Sequence, residues 1–358
     1  MGLERDVQEY IKNRDKYLPI DVRSQGEFQE SALPQAVNVP LFNNTERAEI
    51  GTIYKQIGQD EAKWRAMEIV SPKLPGLLSE VKSLGASSGK TPLLYCWRGG
   101  MRSRSMTHFA ELAGLKVERL NGGYRAFRNA ILAEIPKLLQ KKAVVLSGMT
   151  GTKKTVVLKE LQKRGYPVLD LEAMAEHKGS LFGAIDGRTP ANQKTFDARL
   201  FEALDEIKDS PYFIMEGESK RIGHCVLPEV LLERKQNGIT IHIEASLHSR
   251  IKQIYEDYVV PNQQDPAFRT RLEAILPIIR KRIKNHQVKA EIEEAFAKRD
   301  YYTFIEYLLI HYYDPRYQHH AVPVTSGSYV VNSEQIESAV EQIEQLIREI
   351  VQPACKKR

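Results

Sequence analysis

The chain has 358 residues, 42% of them hydrophobic and 27% charged, with a formal net charge of +6. That length suits two domains of ordinary size, and that apolar content supports real cores and excludes wholesale disorder. No uninterrupted apolar run is long enough to span a bilayer. The opening MGLERDVQEYIKNRDKY is charged and lacks the apolar core of an export signal, so the expectation is a cytoplasmic protein. Three cysteines, Cys96, Cys225 and Cys355, make no disulfide framework and suit a reducing compartment. The positive charge permits a polyanionic partner without demanding one.

In chain order, a short apolar run ends in Asp21-Val22-Arg23, and a second covers residues 36–40. A charged helical stretch follows over 45–84, then a polar loop at 85–90. Residues 92–95 read as a buried strand that runs into Cys96, and 115–120 as another strand, stopped by Asn121-Gly122-Gly123. A helix over 124–139 leads to Lys141-Lys142, where a new unit begins. Its strands are expected at 143–146, 166–170, 212–216 and 239–244. Beyond Ser246 the pattern is mostly helical, with a last helix over 333–350 and a basic tail at 356–358. Strands alternating with helices predict an α/β fold in two domains, 1–140 and 141–358, the second ending in a helical extension.

The first motif is Cys96-Trp97-Arg98-Gly99-Gly100-Met101-Arg102-Ser103. A cysteine between a buried strand and a helix, followed by glycines, lies in a nest of backbone N–H groups at a helix N-terminus. With Arg98 and Arg102 nearby, such a nest stabilises a thiolate and forms a bowl for a tetrahedral anion. Arg98, Gly99, Gly100, Arg102 and Ser103 are the candidate anion binders, and Cys96 the candidate catalytic residue. A buried structural thiol is the bland alternative; the glycine pair and two arginines in one turn argue against it.

The second motif is Gly148-Met149-Thr150-Gly151-Thr152-Lys153-Lys154-Thr155, between the 143–146 strand and an amphipathic helix. This is the context of a P-loop, in which backbone N–H groups cradle phosphates, Lys154 reaches the outer phosphates and the Thr155 hydroxyl can hold magnesium. Gly148, Thr150, Gly151, Thr152, Lys153, Lys154 and Thr155 are therefore candidate diphosphate binders. Lys153 departs from the pattern, which expects a glycine able to take positive φ. Asp170, Glu172, Glu216 and Glu218 lie at or just after strand ends, where carboxylates coordinate magnesium, orient a substrate or merely cap helices. His177 and Ser180 fall in a glycine-rich stretch, 177–183, that reads as a binding loop.

Asp21-Val22-Arg23-Ser24, Glu27-Phe28, Ala32-Leu33-Pro34-Gln35-Ala36 and the strand-cysteine loop together resemble a rhodanese domain, a doubly wound parallel sheet. The resemblance implies a chalcogen carried on Cys96 and a scaffold role for Asp21 and Arg23. The cysteine loop has the length seen in phosphatases built on the same fold. Rhodanese followed by a P-loop domain resembles the tRNA 2-selenouridine synthase family, through DVRSQGEF, ERAEIGTIYKQIG, YCWRGGMRS, NGGYRAFR, the P-loop, LDLEAMAEHKGSLFG and EGESKRIG. The departures are Lys153 and Lys178, the latter where the family commonly has arginine.

The resemblance implies a transferase acting on wobble 2-thiouridine of tRNA. The sulfur is first alkylated from geranyl diphosphate, and the geranyl thioether is then exchanged for selenium from selenophosphate. The P-loop would take the diphosphate and the Cys96 loop the selenophosphate. No tightly bound cofactor is implied, magnesium is left open, and the expectation is a monomer with no membrane partner.

For the tRNA, residues 269–289 hold Arg269, Arg271, Arg280, Lys281, Arg282, Lys284 and Lys289 against one acid, Glu273. Ile275, Ile278, Ile279 and Ile283 are expected to pack inward, and the tyrosines of 301–313 to be mostly core. The rival readings are a Cys-(x)5-Arg phosphatase or a rhodanese-fold sulfurtransferase with an accessory nucleotide-binding domain, and an ATP-driven nucleic-acid switch.

Overall fold

The computed structural model describes residues 3–179, 183, 189–318 and 329–350. The chain forms two compact units, residues 1–135 with 197–202, and 136–196 with 203–358.

The first unit is built on a parallel five-stranded sheet in the order β1-β5-β4-β2-β3. The strands are β1 Leu3–Arg5, β2 Tyr17–Asp21, β3 Val37–Asn38, β4 Thr91–Tyr95 and β5 Glu118–Leu120. The central strands β2 and β4 bury residues of both parities, among them Ile20, Leu93, Leu94 and Tyr95, as a parallel sheet covered on both faces requires. The helices are α1 Val7–Lys12, α2 Gln25–Glu30, α3 Asn44–Gln56, α4 Gln59–Val70, α5 Leu74–Ser88, α6 Met101–Leu112 and α7 Gly123–Leu138.

The charged stretch read as one helical region is thus three helices, broken at Gly58 (φ 156°) and at the Ser71-Pro72 turn. The polar loop expected at 85–90 is largely absent. Residues 85–88 complete α5, with Ser87 and Ser88 hydroxyls donating to the carbonyls of Leu84 and Gly85. Gly89 (φ 64°) ends the helix as its left-handed cap, and Lys90 follows outside it. Leu77, Leu78, Val81 and Leu84 on the sheet-facing side carry the helix through residues whose own propensity is poor.

In the second unit a parallel five-stranded sheet runs β12-β11-β6-β8-β7. It comprises β6 Lys142–Ser147, β7 Val168–Leu169, β8 Tyr212–Glu216, β11 Ile239–Glu244 and β12 Tyr329–Asn332. A small antiparallel pair, β9 Arg221–Ile222 and β10 Cys225–Val226, lies outside it. The strand β12 falls in the region expected to be helical; Tyr329, Val330 and Val331 extend the sheet edge beside β11. The helices are α8 Lys154–Lys163, α9 Leu171–Ala175, α10 Gln193–Glu206 (whose residues 197–202 are counted with the first unit), α11 Glu229–Gln236, α12 Leu247–Ile254, α13 Pro266–Arg282, α14 His286–Lys298, α15 Tyr301–Leu308, α16 Asp314–Gln318 and α17 Ile336–Ile350.

Two cores result. One joins the sheet to α8 and α17 through Val144, Leu146, Leu158, Ile214 and Ile343. The other lies among α12 to α15, around Leu272, Ile279, Phe296, Phe304 and Leu308. Among the described residues no helix is long and apolar enough to cross a membrane.

Candidate active sites

The cysteine loop follows directly from β4. Its carbonyls are turned away from the loop interior by named donors. The N–H groups of Tyr124 and Arg125 donate to the carbonyls of Cys96 and Trp97, both at 2.9 Å, and the Arg119 guanidinium donates to the carbonyl of Gly99. Because a trans peptide points its N–H opposite its C=O, carbonyls committed outward leave amides facing inward. Two glycines make the packing possible. A Cβ on Gly99 (φ 62°) would sit 2.8 Å from the Leu120 carbonyl, and one on Gly123 (φ 57°) 2.1 Å from the Cys96 carbonyl.

Cys96 is 3% exposed, and its Sγ lies 3.2 Å from Ser103 Oγ. What meets the sulfur must therefore be small or must enter through the loop. The Ser103 hydroxyl also approaches the Gly100 carbonyl, at 3.3 Å. Arg98 and Gly100 are exposed on the loop, and Gly99 is buried beneath it. Arg102, expected over the sulfur, instead pairs with Glu27, Nη1 to Oε2 at 2.7 Å and Nη2 to Oε1 at 3.2 Å. Glu27 is the third residue of α2, where Ser24 caps the helix, so an acid read only as part of a motif acquires a partner across the unit.

Asp21 and Arg23 form a buried ion pair at 2.6 Å, with exposures of 0% and 1%, consistent with a scaffold role. The Arg23 guanidinium also lies 4.9 Å from the centre of the Tyr124 ring, which stacks on Trp97 of the cysteine loop. Arg119 was not singled out by sequence. It stands next to Glu118 in a short strand with a second charge, and nothing local marks it as the buried one.

In the second unit, β6 runs into the glycine-rich loop and α8 as expected. A Cβ on Gly148 (φ 154°) would lie 2.4 Å from the Ile243 carbonyl and 2.9 Å from Thr152 Oγ1, so the loop enters only as glycine. Gly151 has φ 83°. Lys153 stands immediately before α8 with φ 60° and ψ 20°, the left-handed conformation that a glycine would take without cost. Its ammonium donates to the Glu334 carbonyl at 3.2 Å and so is turned to the protein, not toward the loop centre. Lys154 Nζ donates to the Gly148 and Met149 carbonyls at 2.9 and 3.0 Å. The Thr152 hydroxyl donates to the Met149 carbonyl at 2.9 Å.

The loop is braced by residues that the sequence did not reveal. Arg250 Nε donates to the Thr150 carbonyl at 2.8 Å while its Nη2 pairs with Asp314 at 2.6 Å. Ser333 Oγ donates at 2.9 Å to the Thr152 carbonyl. Both come from distant segments, and no local pattern marks them.

Beside the loop, Glu172, Glu216 and Glu218 bring one carboxylate oxygen each within 4.8 Å of the others. Burial, aided by the charges of Glu216 and Glu218, pushes the Glu172 carboxyl up to about 8. Burial pushes Glu216 up to about 7 against the opposing charge of Lys154 and a hydrogen bond from Thr155. Glu218 is also raised by burial, against Lys154 and Lys235. Glu216 Oε1 is buried with no hydrogen-bond partner among the described residues. An acceptor left unpaired beside two further carboxylates suits a divalent cation held by the three, with Thr155 adjacent. Asp170 stands apart in role: its side chain accepts from the Ala173 N–H at 2.9 Å and caps α9. His177 is half-buried, its ring 3.0 Å from where a Gly223 Cβ would lie. Ser180 lies outside the described residues, as does the basic tail.

The basic segment is partly neutralised. Arg269 pairs with Glu273 at 3.1 Å, Arg271 with Asp265 at 2.5 Å and Arg280 with Glu293 of α14 at 2.6 Å. Two of these acids, Asp265 and Glu293, come from before the segment and from a neighbouring helix, which a count within 269–289 cannot include. Lys281, Arg282 and Lys284 are exposed at the end of α13. Ile275, Ile279 and Ile283 are buried as expected, whereas Ile278 is 46% exposed. Tyr312 and Tyr313 are core, while Tyr302 is 45% exposed and stacks on Tyr255 at 4.3 Å.

Two family profiles match this chain: a rhodanese-like domain over residues 5–130, and the tRNA 2-selenouridine synthase AAA domain over 141–348. The chain belongs to the tRNA 2-selenouridine synthase family. A relative of that name from Bordetella bronchiseptica is 35% identical over 325 residues, covering 83% of this chain and 86% of its own. Another, from Sulfurovum sp., is 30% identical over 322 residues, covering 84% and 87%. A solved N-terminal domain from Clostridium difficile 630 is 38% identical and covers 36% of this chain and 98% of its own, with a TM-score of 0.34. Within the family frame, the cysteine loop and the P-loop each fall inside one matched domain.

Proposed function

We propose that the protein converts wobble 2-thiouridine of tRNA to 2-selenouridine through an S-geranyl intermediate, with geranyl diphosphate and selenophosphate as co-substrates. The observation that carries this reading is that a chain of this family has two glycine-bearing loops, the Cys96 loop before α6 and the loop before α8, each joining a strand to a helix N-terminus and each suited to an anion. Sulfide leaves poorly from the base; a geranyl thiolate leaves more readily. Alkylation first and exchange second therefore divides one hard substitution into two easier ones.

The P-loop amides, Lys154 and Thr155 receive the diphosphate, Lys154 exchanging two loop carbonyls for phosphate oxygens. A divalent cation held by Glu172, Glu216 and Glu218 would supply neutralisation of the diphosphate charge. The inward amides of the cysteine loop, with Arg98, receive selenophosphate, and Cys96 contacts the reacting anion from below. The net exchange is redox-neutral: selenium bonds to C2 of the base, geranyl thiolate leaves, and water takes the phosphoryl group as phosphate. A selanyl group on Cys96, which the rhodanese resemblance implies, would instead leave the Se–P electron pair on phosphorus and release phosphite. Exposed Lys281, Arg282 and Lys284 are the cations free of the ion pairs described above and are the candidates for the tRNA backbone.

The test is mass spectrometry of 2-thiouridine tRNA incubated with the enzyme, geranyl diphosphate and selenophosphate. Conversion in two mass steps, thioether and then selenium, is expected. An aryl phosphate hydrolysed rapidly in a Cys96-dependent way, with no change in the tRNA, would favour a phosphatase instead.

A further inference from the structure

Next to the cysteine loop, and within the same unit, lies a cavity of about 930 Å³. Phe42, Ala62 and Val70 form its buried lining; Tyr54, Met67 and Met101, each at least half exposed, form its outer lining. Ile57 and Trp64, exposed by 67% and 70%, stand on the same α3–α4 hairpin. Water-facing apolar side chains gathered at one opening mark a ligand site more often than a plain surface.

The cavity and the cysteine loop share one helix turn. Met101, Arg102 and Ser105 of α6 line the cavity, while Ser103 touches the Cys96 sulfur at 3.2 Å. Arg47, Lys55 and Lys63 also line it, Arg47 beside Glu27 at 3.6 Å and Lys63 paired with Asp60 at 2.8 Å, so cationic groups border the apolar interior. That combination fits a hydrocarbon chain attached to a polyanion.

We propose that this cavity holds the ten-carbon isoprenyl chain of the S-geranyl wobble nucleoside while selenium is exchanged at the cysteine loop. The inference rests on the function proposed above. The chain carries no hydrogen-bonding group, so neither the P-loop nor the amide bowl can hold it. The cavity hides it from water, directs the thioether toward the α6 N-terminus and receives the geranyl thiolate as it leaves, while the cations face the anticodon phosphates.

Gly51 of α3 lines the cavity, and a Cβ there would meet no atom within 4 Å. The Cβ of Gly51→Phe therefore meets no neighbour, and its ring is added at the cavity lining. The full chain is assayed with selenophosphate and anticodon-stem RNAs carrying either S-geranyl or S-dimethylallyl 2-thiouridine. Binding of each RNA is measured separately by fluorescence anisotropy. In Gly51→Phe, KM and Kd for the geranyl RNA are expected to rise at least tenfold and those for the dimethylallyl RNA to change less than twofold. Equal behaviour of the two RNAs overturns the proposal. If the wild type exchanges neither RNA, the function reading fails, and the anisotropy comparison still decides the cavity. Should Gly51→Phe fail to fold, as read by circular dichroism, Ala48→Trp on the same lining gives the same discrimination.

Discussion

Arg102 and Glu27 hold each other across the first unit, guanidinium to carboxylate at 2.7 Å, so the arginine that the Cys-(x)5-Arg spacing aims at the anion is committed to an acid. Burial raises the Glu27 carboxyl, but the hydrogen bond and charge of Arg102, the Ser24 N–H and Arg47 outweigh it and hold the group below the usual carboxylate range. An incoming anion competes with Glu27 for Arg102. Glu27→Gln is therefore expected to lower the KM for selenophosphate several-fold in steady-state exchange. A rise in KM would mean that Glu27 aims Arg102 and does not restrain it.

Separate cradles imply separable steps. Cys96→Ala should abolish selenium incorporation and leave geranylation, and Lys154→Ala should impair geranylation. Liquid chromatography with mass spectrometry of tRNA digests reads both at once. Loss of both activities in a folded Cys96→Ala protein would contradict two sites. Phosphorus NMR of the exchange reaction should show phosphate; phosphite would place selenium on the Cys96 sulfur.

Glu172 and Glu216 carry raised carboxyl pKa values, about 8 and about 7. The folded state therefore binds more protons than the unfolded state between pH 4.5 and 8, and stability falls as pH rises through that window. Thermal melts from pH 5 to 9 should show this decline, flattened in Glu172→Gln. A divalent cation needs the ionised carboxylates, so its stabilising effect should grow over pH 6.5 to 8.5 and vanish in Glu216→Gln. Magnesium-independent melts at pH 8.5 would remove the cation from the site.

Lys153 pays for its left-handed backbone with strain of ~1–2 kcal/mol that glycine avoids. Lys153→Gly and Lys153→Ala both lose the bond to the Glu334 carbonyl. Denaturant melts should place the glycine variant about 1 kcal/mol above the alanine variant, after the glycine's extra unfolded-state entropy is deducted. Equal stability would show that the loop relaxes around residue 153.

Asp21→Ala strands the Arg23 guanidinium, 1% exposed, without its counter-charge. A loss of about 3–5 kcal/mol in equilibrium unfolding is expected. A loss below 1 kcal/mol would mean that water or another acid reaches Arg23.

Local pattern was enough to locate both loops. A buried apolar run followed by Cys96-Trp-Arg-Gly-Gly, or by Gly148 and Gly151 before Lys154-Thr155, combines a strand end, positive-φ glycines and a helix start within a dozen residues, and each of those is a near-neighbour effect. The family resemblance was legible for the same reason, as motif islands in order along the chain. The polar look of residues 85–90 misled because packing by Val81 and Leu84 outweighs the weak propensities of Gly85, Ser87 and Ser88.

What only the tertiary structure decided is who holds whom. Glu27 claims Arg102, Arg119 and Arg250 brace the two loops by their carbonyls, and Glu172, Glu216 and Glu218 converge from two strand ends. The α3–α4 hairpin opens a cavity against the α6 turn that carries Ser103. These pairings join residues from 20 to 100 positions apart in a chain whose spacing carries no trace of them. Charge and hydrogen-bond partners are chosen by distance in space, and distance in space exists only once the sheets have ordered their strands.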